Sequence, residues 1–266
     1  MRTRALSRSH CLGLGTALLL FQHIATADPI AYAEQASGQY VRVDFGTRTS
    51  DPIGPPLTQY FIVGAFAGDD FSKEYAIEYP SGDLYSIDTT TAETTPIGST
   101  NISDESPTAM QWDPSSGYML LMTDYAPCDG GNFYALDINT GSATPIGVHD
   151  GCLEGLAFDA ADNAFSIDVA QDTLVEHFND TIGPLGFNAA LLSALFFDPS
   201  SGELYLIAAD VDTAFDALFL VDTASGAATL LAPWPTQYSA FALVSPGSDT
   251  DSIFANGFDS QVRISR

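Results

Sequence analysis

Between Glu74 and Val262 the sequence contains no lysine and no arginine. The whole chain of 266 residues has Lys+Arg 8 against Asp+Glu 34, a formal net charge of −26. With so few cations to displace phosphate counterions, a nucleic-acid ligand and adhesion to an anionic membrane surface are excluded. Histidine is scarce too, and only His149 and His177 lie beyond residue 30. There is no G-x-S-x-G elbow and no S-x-x-K pair, so ordinary nucleophilic hydrolysis has little to work with. His149, beside Asp150, reads as an exposed loop histidine, and His177 as an outer-strand residue. No apolar run is long enough to span a bilayer, and no helical period occurs after the first 27 residues.

What is there begins with a leader. Arg2, Arg4 and Arg8 precede a short apolar core from Cys11 to Phe21, and Ala25-Thr26-Ala27 is an A-x-A cleavage site. Residues 1–27 are therefore expected to be a signal peptide, which places the chain outside the cytoplasm: secreted, periplasmic or at the cell surface. Of 3 cysteines, Cys11 would be lost with the leader. Cys128 and Cys152 remain, an even pair that favours a disulfide in an exported protein.

The rest of the chain repeats one sentence. Gly131 to Gly147 reads G-N-F-Y-A-L-D-I-N-T-G-S-A-T-P-I-G, a strand, a turn and a second strand. Ile-Gly endings recur at Gly54, Gly98, Gly147 and Gly183, spaced 44, 49 and 36 residues apart. Each unit carries about four strand-like pieces, and Asp-Pro-Ser-Ser-Gly and Asn-Thr-Gly segments supply hairpin turns. Four strands in roughly 40–50 residues is the pattern of propeller blades. The first unit lacks its innermost strand, and the lone strand at 239–245 lacks partners. Joined, they close a ring of five four-stranded blades with no exposed edge. The expected division is 28–247 for this all-β propeller and 248–266 for a polar tail.

The units at 84–98, 133–147 and 218–230 resemble the L-Y-x-I-D-x-x-T-G-x-x-T-x-I-G repeats of many secreted bacterial β-propellers of uncharacterised role. The resemblance implies the fold and carries no catalytic residues. The tail, D-S-I-F-A-N-G-F-D from Asp251 to Asp259, looks like the short I-F-x-D-G-F-E ends of some exported Gram-negative proteins. It reads either as a sorting or attachment tag or as a plain polar end.

Propellers bind ligands where the innermost strands converge on the central channel. Aligning those strands on their apolar cores gives the ring Gly64, Thr108, Glu154, Ser193 and Ser239, hydroxylic with a single carboxylate. Thr108, Glu154, Ser193 and Ser239 are the candidate binding residues, and Glu154 could hold a sugar, a cation or a water. Oxygen ligands for Ca²⁺ occur at Asp69 and Asp70, at Asp104 and Glu105, and around Asp159, Asp162 and Asn163. None has EF-hand or calcium-repeat spacing, so turn chemistry is the better reading there and no metal site is assigned. The function expected is a monomeric binding or surface-interaction module with an extracellular ligand and no membrane insertion. The alternative is a hydrolase or lyase acting on a carbohydrate or lactone in the channel.

Overall fold

The computed structural model describes residues 30–244, apart from 127, 129, 178–179, 191–192, 200, 213–214 and 235–237. The expected signal peptide and tail lie outside the described residues. Five four-stranded antiparallel sheets form the blades. Blade 1 joins β1 (Ile30–Gln35), β2 (Tyr40–Asp44) and β3 (Thr49–Pro52) to β20 (Tyr238–Val244). Blade 2 holds β4 (Phe61–Ala67), β5 (Asp70–Glu78), β6 (Asp83–Asp88) and β7 (Thr94–Ser99). Blade 3 holds β8 (Glu105–Asp113), β9 (Tyr118–Tyr125), β10 (Gly131–Leu136) and β11 (Ala143–His149). Blade 4 runs through β12 (Leu153–Phe158), β13 (Ala164–Asp168), β14 (Thr173–Glu176) and β15 (Asp180–Pro184). Blade 5 runs through β16 (Ala194–Asp198), β17 (Glu203–Asp210), β18 (Phe215–Val221) and β19 (Ala228–Trp234). The expected ring closure is present: β20 pairs with β1 from Ile30↔Val244 to Gln35↔Tyr238.

The repeated residues have local jobs. In the Asp137 turn, the Asn139 N–H donates to the Asp137 carboxylate at 2.9 Å and the Thr140 hydroxyl at 2.8 Å. Those bonds hold the Asp137 carboxyl below its ordinary range. The recurrent Ile-Gly serves packing between blades. A Cβ on Gly98 would stand 2.2 Å from the Thr140 carbonyl oxygen, and one on Gly183 would stand 2.2 Å from that of Ser225. The outermost strands of blades 1, 2 and 4 thus press bare backbone against the next blade's outer turn at Gly54, Gly98 and Gly183, an approach only glycine permits, whereas Gly147 of blade 3 meets only Phe133 of its own blade. The register shifts beside the Ile as well, between Leu84 and Tyr85 and between Phe133 and Tyr134. These bulges deepen the twist that a blade needs.

The core consists of five apolar seams, one between each pair of neighbouring blades. Between blades 2 and 3, for example, Ile77 and Leu84 meet Met119 and Leu121, all fully buried. The last seam, blade 5 on blade 1, stacks Phe196 against Phe45 at 5.6 Å between ring centroids.

The seam between blades 1 and 2 also contains two buried acids. Glu34 on β1 accepts the Phe61 N–H at 2.8 Å, and the Tyr40 hydroxyl donates to Glu74 on β5 at 2.5 Å. Burial pushes the Glu34 carboxyl up to about 7, with the Phe61 N–H opposing. Burial also lifts Glu74 well above the carboxylate range; the Tyr40 hydrogen bond opposes this and the Glu34 charge adds to it.

Candidate functional site

The innermost strands β20, β4, β8, β12 and β16 surround the channel. Their starting ends mark its mouth. Gly64, Thr108, Glu154, Ser193 and Ser239 all line this channel, which has about 60 Å³ of space. That is room for a few waters and no more. Glu154 is only 4% exposed. The Ser193 hydroxyl donates to the Ala190 carbonyl at 2.9 Å. By contrast, Thr108 Oγ1 and Ser239 Oγ are buried with no hydrogen-bond partner.

Bulges shape the mouth. The β4–β5 register slips between Phe61 and Val63, β8–β9 between Pro107 and Ala109, and β12–β13 between Glu154 and Ala157. A bulge re-aims the side chain it inserts, and Ile62 thereby joins Thr108 and Glu154 at the opening. Gly155 lies inside the third bulge at φ +65, where a Cβ would sit 2.8 Å from Leu195. Strand alternation alone gives Gly64 as the blade 2 residue and misses Ile62.

Above the mouth the channel widens into a groove of about 590 Å³. Tyr60, Tyr79 and Tyr125 wall it, 42%, 56% and 43% exposed. Tyr60 and Tyr79 meet edge to face at 6.5 Å. The Tyr125 hydroxyl accepts a hydrogen bond from Asn132 Nδ2 at 2.7 Å. Asn132 also donates to Glu105 at 2.8 Å, as does the Tyr134 hydroxyl at 2.9 Å; the Thr123 hydroxyl is a third donor. Glu105, a sequence candidate for metal ligation, is thus the hub that fixes one wall of the groove.

Two carboxylates face this groove together, Glu154 and Asp124. Asp124 is the penultimate residue of β9 and is 4% exposed. Burial pushes its carboxyl up to about 7, the Asp168 charge adds to this, and the Leu153 N–H opposes it. His149 Nε2 lies 3.3 Å from Asp124 Oδ1 and 2.9 Å from the Thr123 carbonyl oxygen. The expectation of an exposed loop histidine is corrected: His149 is 3% exposed. It ends β11, two residues beyond the Ile-Gly where the repeat pattern stops, and its ring lies 5.1 Å from that of Phe133. Its pairing with Gly131 across the ladder draws it inward. His177 is about half exposed, 3.9 Å from Glu176.

Cys128 and Cys152 meet beside Asp124 with Cα atoms 4.8 Å apart, as a disulfide requires, and join blade 3 to the start of blade 4. The remaining calcium candidates have turn roles. Asp70 accepts the Ser72 N–H and hydroxyl at 3.1 and 2.6 Å, and with Asp69 it lies in the β4–β5 hairpin, at the end of the channel away from the mouth. Asp159 accepts the N–H groups of Ala161 and Asn163, each at 2.8 Å. No sequence motif marks Asp124 or the three tyrosines. The only hint was Asp124's position four residues before Cys128.

No protein-family model matches the chain, and no curated protein is similar to it in sequence. Solved structures share its fold. A chain of a nidogen/laminin complex superposes with a TM-score of 0.51 at 11% identity, over 81% of this chain and 97% of that one. A candidate gluconolactonase gives 0.52 at 12% identity, over 81% and 82%. A luciferin-regenerating enzyme gives 0.50 at 10% identity, over 78% and 72%. At such identities the likeness establishes the propeller and nothing finer.

Proposed function

We propose that the protein is an exported, monomeric binding module whose ligand, a neutral carbohydrate or similar polyhydroxylated molecule, occupies the groove at the channel mouth. The carrying observation is the grouping of three exposed tyrosines with Asp124 and Glu154 in one concavity. Tyrosine rings offer flat apolar faces to the C–H side of a sugar ring, and carboxylates accept its hydroxyls. A chain of net charge −26 repels anionic ligands, which selects for neutral ones. The leader and the cysteine pair support an extracellular setting. Calcium is compatible with this reading. Glu154 with the hydroxyl oxygens of Thr108 and Ser239 is an oxygen-only set that would hold it at the base of the groove.

The test is a titration of the full chain with neutral mono- and oligosaccharides, followed by tyrosine fluorescence and NMR. Tyr79→Ala and Glu154→Gln are each expected to weaken binding about tenfold, the loss of roughly 1.4 kcal/mol of stacking or hydrogen bonding. Wild-type affinity in both variants, or no sugar bound at all, would sink the proposal. A second reading, hydrolysis or elimination on the same ligand class, is favoured by one feature. Two carboxylates share the groove, the pairing that acid–base chemistry at a glycosidic or lactone bond needs. Product release from bound sugar, lost in both Asp124→Asn and Glu154→Gln, would select it.

A further inference from the structure

We propose that the channel beneath the groove is a subsite for the exocyclic hydroxymethyl arm of a hexopyranose, and that Thr108 and Ser239 select for that arm. The proposal rests on the carbohydrate reading of the groove and sharpens it. The ligand is a hexose with a free primary hydroxyl, in preference to a 6-deoxy sugar or a uronic acid.

Groove and channel are continuous, since Ile62, Pro107, Thr108 and Glu154 line both. They differ greatly in width. The groove, with about 590 Å³ and tyrosine walls, has room for a sugar ring, whereas the channel has about 60 Å³. A ring stacked on Tyr60 or Tyr79 can therefore send down only a thin substituent. A CH₂OH arm, one carbon and one oxygen, is about the size of two waters. The lining changes in the order that such an arm requires. Ile62 and Pro107 form an apolar collar at the opening, where the methylene would pass, and Ser239 lies deeper, lining the channel alone.

Thr108 Oγ1 and Ser239 Oγ are each buried without a hydrogen-bond partner, and Ser239 as a whole is 7% exposed. A buried hydroxyl without a partner costs stability, and two of them on one narrow channel point to a ligand group that bonds both. They stand on β8 of blade 3 and β20 of blade 1, which are separated in the ring by blade 2. The hydroxyls thus approach the channel from different sides, and a hydroxyl between them can donate to one and accept from the other. Ser193, the remaining hydroxyl of the ring, is already committed to the Ala190 carbonyl at 2.9 Å. Other substituents fit worse. A methyl group leaves Thr108 and Ser239 unpartnered. A carboxylate would stand beside Glu154, and no lysine or arginine occurs from Glu74 to Val262 to balance it.

The test titrates the full chain, in buffer containing EDTA, with the methyl glycosides of glucose, galactose and mannose. The 6-deoxy and uronic acid counterparts of each sugar that binds then follow. The 6-deoxy sugar is expected to bind about 10–100-fold more weakly than its parent, and the uronic acid more weakly still. Thr108→Val and Ser239→Ala each remove one hydroxyl with little change of shape. Each is expected to weaken the parent hexose about tenfold without weakening the 6-deoxy sugar, and the double variant to lose the preference. Neither hydroxyl has a partner to lose, so melting temperatures should equal or exceed that of wild type. No glycoside bound would overturn the groove reading and this proposal with it. Glycosides bound with the 6-deoxy forms as tight as their parents would overturn the channel subsite alone. A preference that survives in the double variant would do the same, as would a lowered melting temperature in either single variant, the mark of a hydroxyl bonded within the protein. So would a preference that appears only when calcium replaces EDTA, because an ion and not the arm would then join the two hydroxyls.

Discussion

Glu34→Gln should stabilise the propeller at pH 8 and destabilise it by about 1 kcal/mol at pH 4. Glu34 lies in the seam that closes the ring, 2% exposed, and accepts the Phe61 N–H at 2.8 Å. Burial raises its carboxyl from the ordinary 4.5 to about 7. In the unfolded chain the group ionises near 4.5, so between 4.5 and 7 the folded state binds more protons and stability falls as pH rises. Above about 7 the full cost is present, and below 4.5 it vanishes. At about 1.4 kcal/mol per pH unit, that interval sets a ceiling of roughly 3 kcal/mol. Glutamine keeps a carbonyl oxygen for the Phe61 N–H but brings an amide NH₂ into the seam, which offsets about 1 kcal/mol. The expected gain at pH 8 is therefore about 2 kcal/mol, or roughly 4–8 °C in melting temperature for a domain of this size. Urea and thermal unfolding of both proteins, disulfide intact, at pH 4, 6 and 8 would measure it. Asp124 also titrates in this range, but it does so in both proteins and cancels in their difference. An offset between wild type and variant that is the same at all three pH values would refute the reasoning, because it would mean that no proton is taken up on folding at Glu34.

Gly98→Ala should cost about 2–4 kcal/mol, since its Cβ would stand 2.2 Å from the Thr140 carbonyl oxygen. Gly117→Ala, where a Cβ meets nothing within 4 Å and only the φ of +71 is unfavourable, should cost about 1 kcal/mol; equal urea midpoints for the two would contradict the blade-contact account. The double change Cys128→Ser, Cys152→Ser opens a loop with a sequence separation of 24 and should lower unfolding free energy by about 3 kcal/mol. Glu105→Ala leaves Thr123, Asn132 and Tyr134 short of their shared acceptor and should cost about 2–4 kcal/mol. It should also broaden the Tyr125 ring resonances in NMR, and sharp, unshifted Tyr125 signals would remove Glu105 from its role in the groove wall.

The blades were legible because the interactions that build them are local. Asp137 with Asn139 and Thr140, or the glycine at Ile97-Gly98, act within a few residues or on the next repeat, so they recur with the repeat period and can be read from one chain. Ring closure followed from counting strands. The mouth was legible only in part. Thr108, Glu154, Ser193 and Ser239 could be aligned on the apolar residues around them, and all line the channel, but in blade 2 a bulge inserts Ile62, and a bulge breaks the two-residue alternation on which such alignment depends. His149 was misread because its burial depends on pairing with Gly131 and packing on Phe133, both set by where β11 stops, beyond the repeat's last recognisable residue. Asp124 and the three tyrosines converge from blades 2 and 3 through the ends of strands and the loops beside them, which carry no period at all. This division has a physical cause. A residue that must fit the same neighbours in every blade is held to the repeat, whereas a residue at the mouth faces a different partner in each blade and is free to depart from it. Several departures from the repeat gather on the seam between blades 3 and 4: the Glu154–Gly155 bulge, Asp124 with Cys128, and His149 at the extended end of β11, of which Glu154, Asp124 and Cys128 line the groove above the channel.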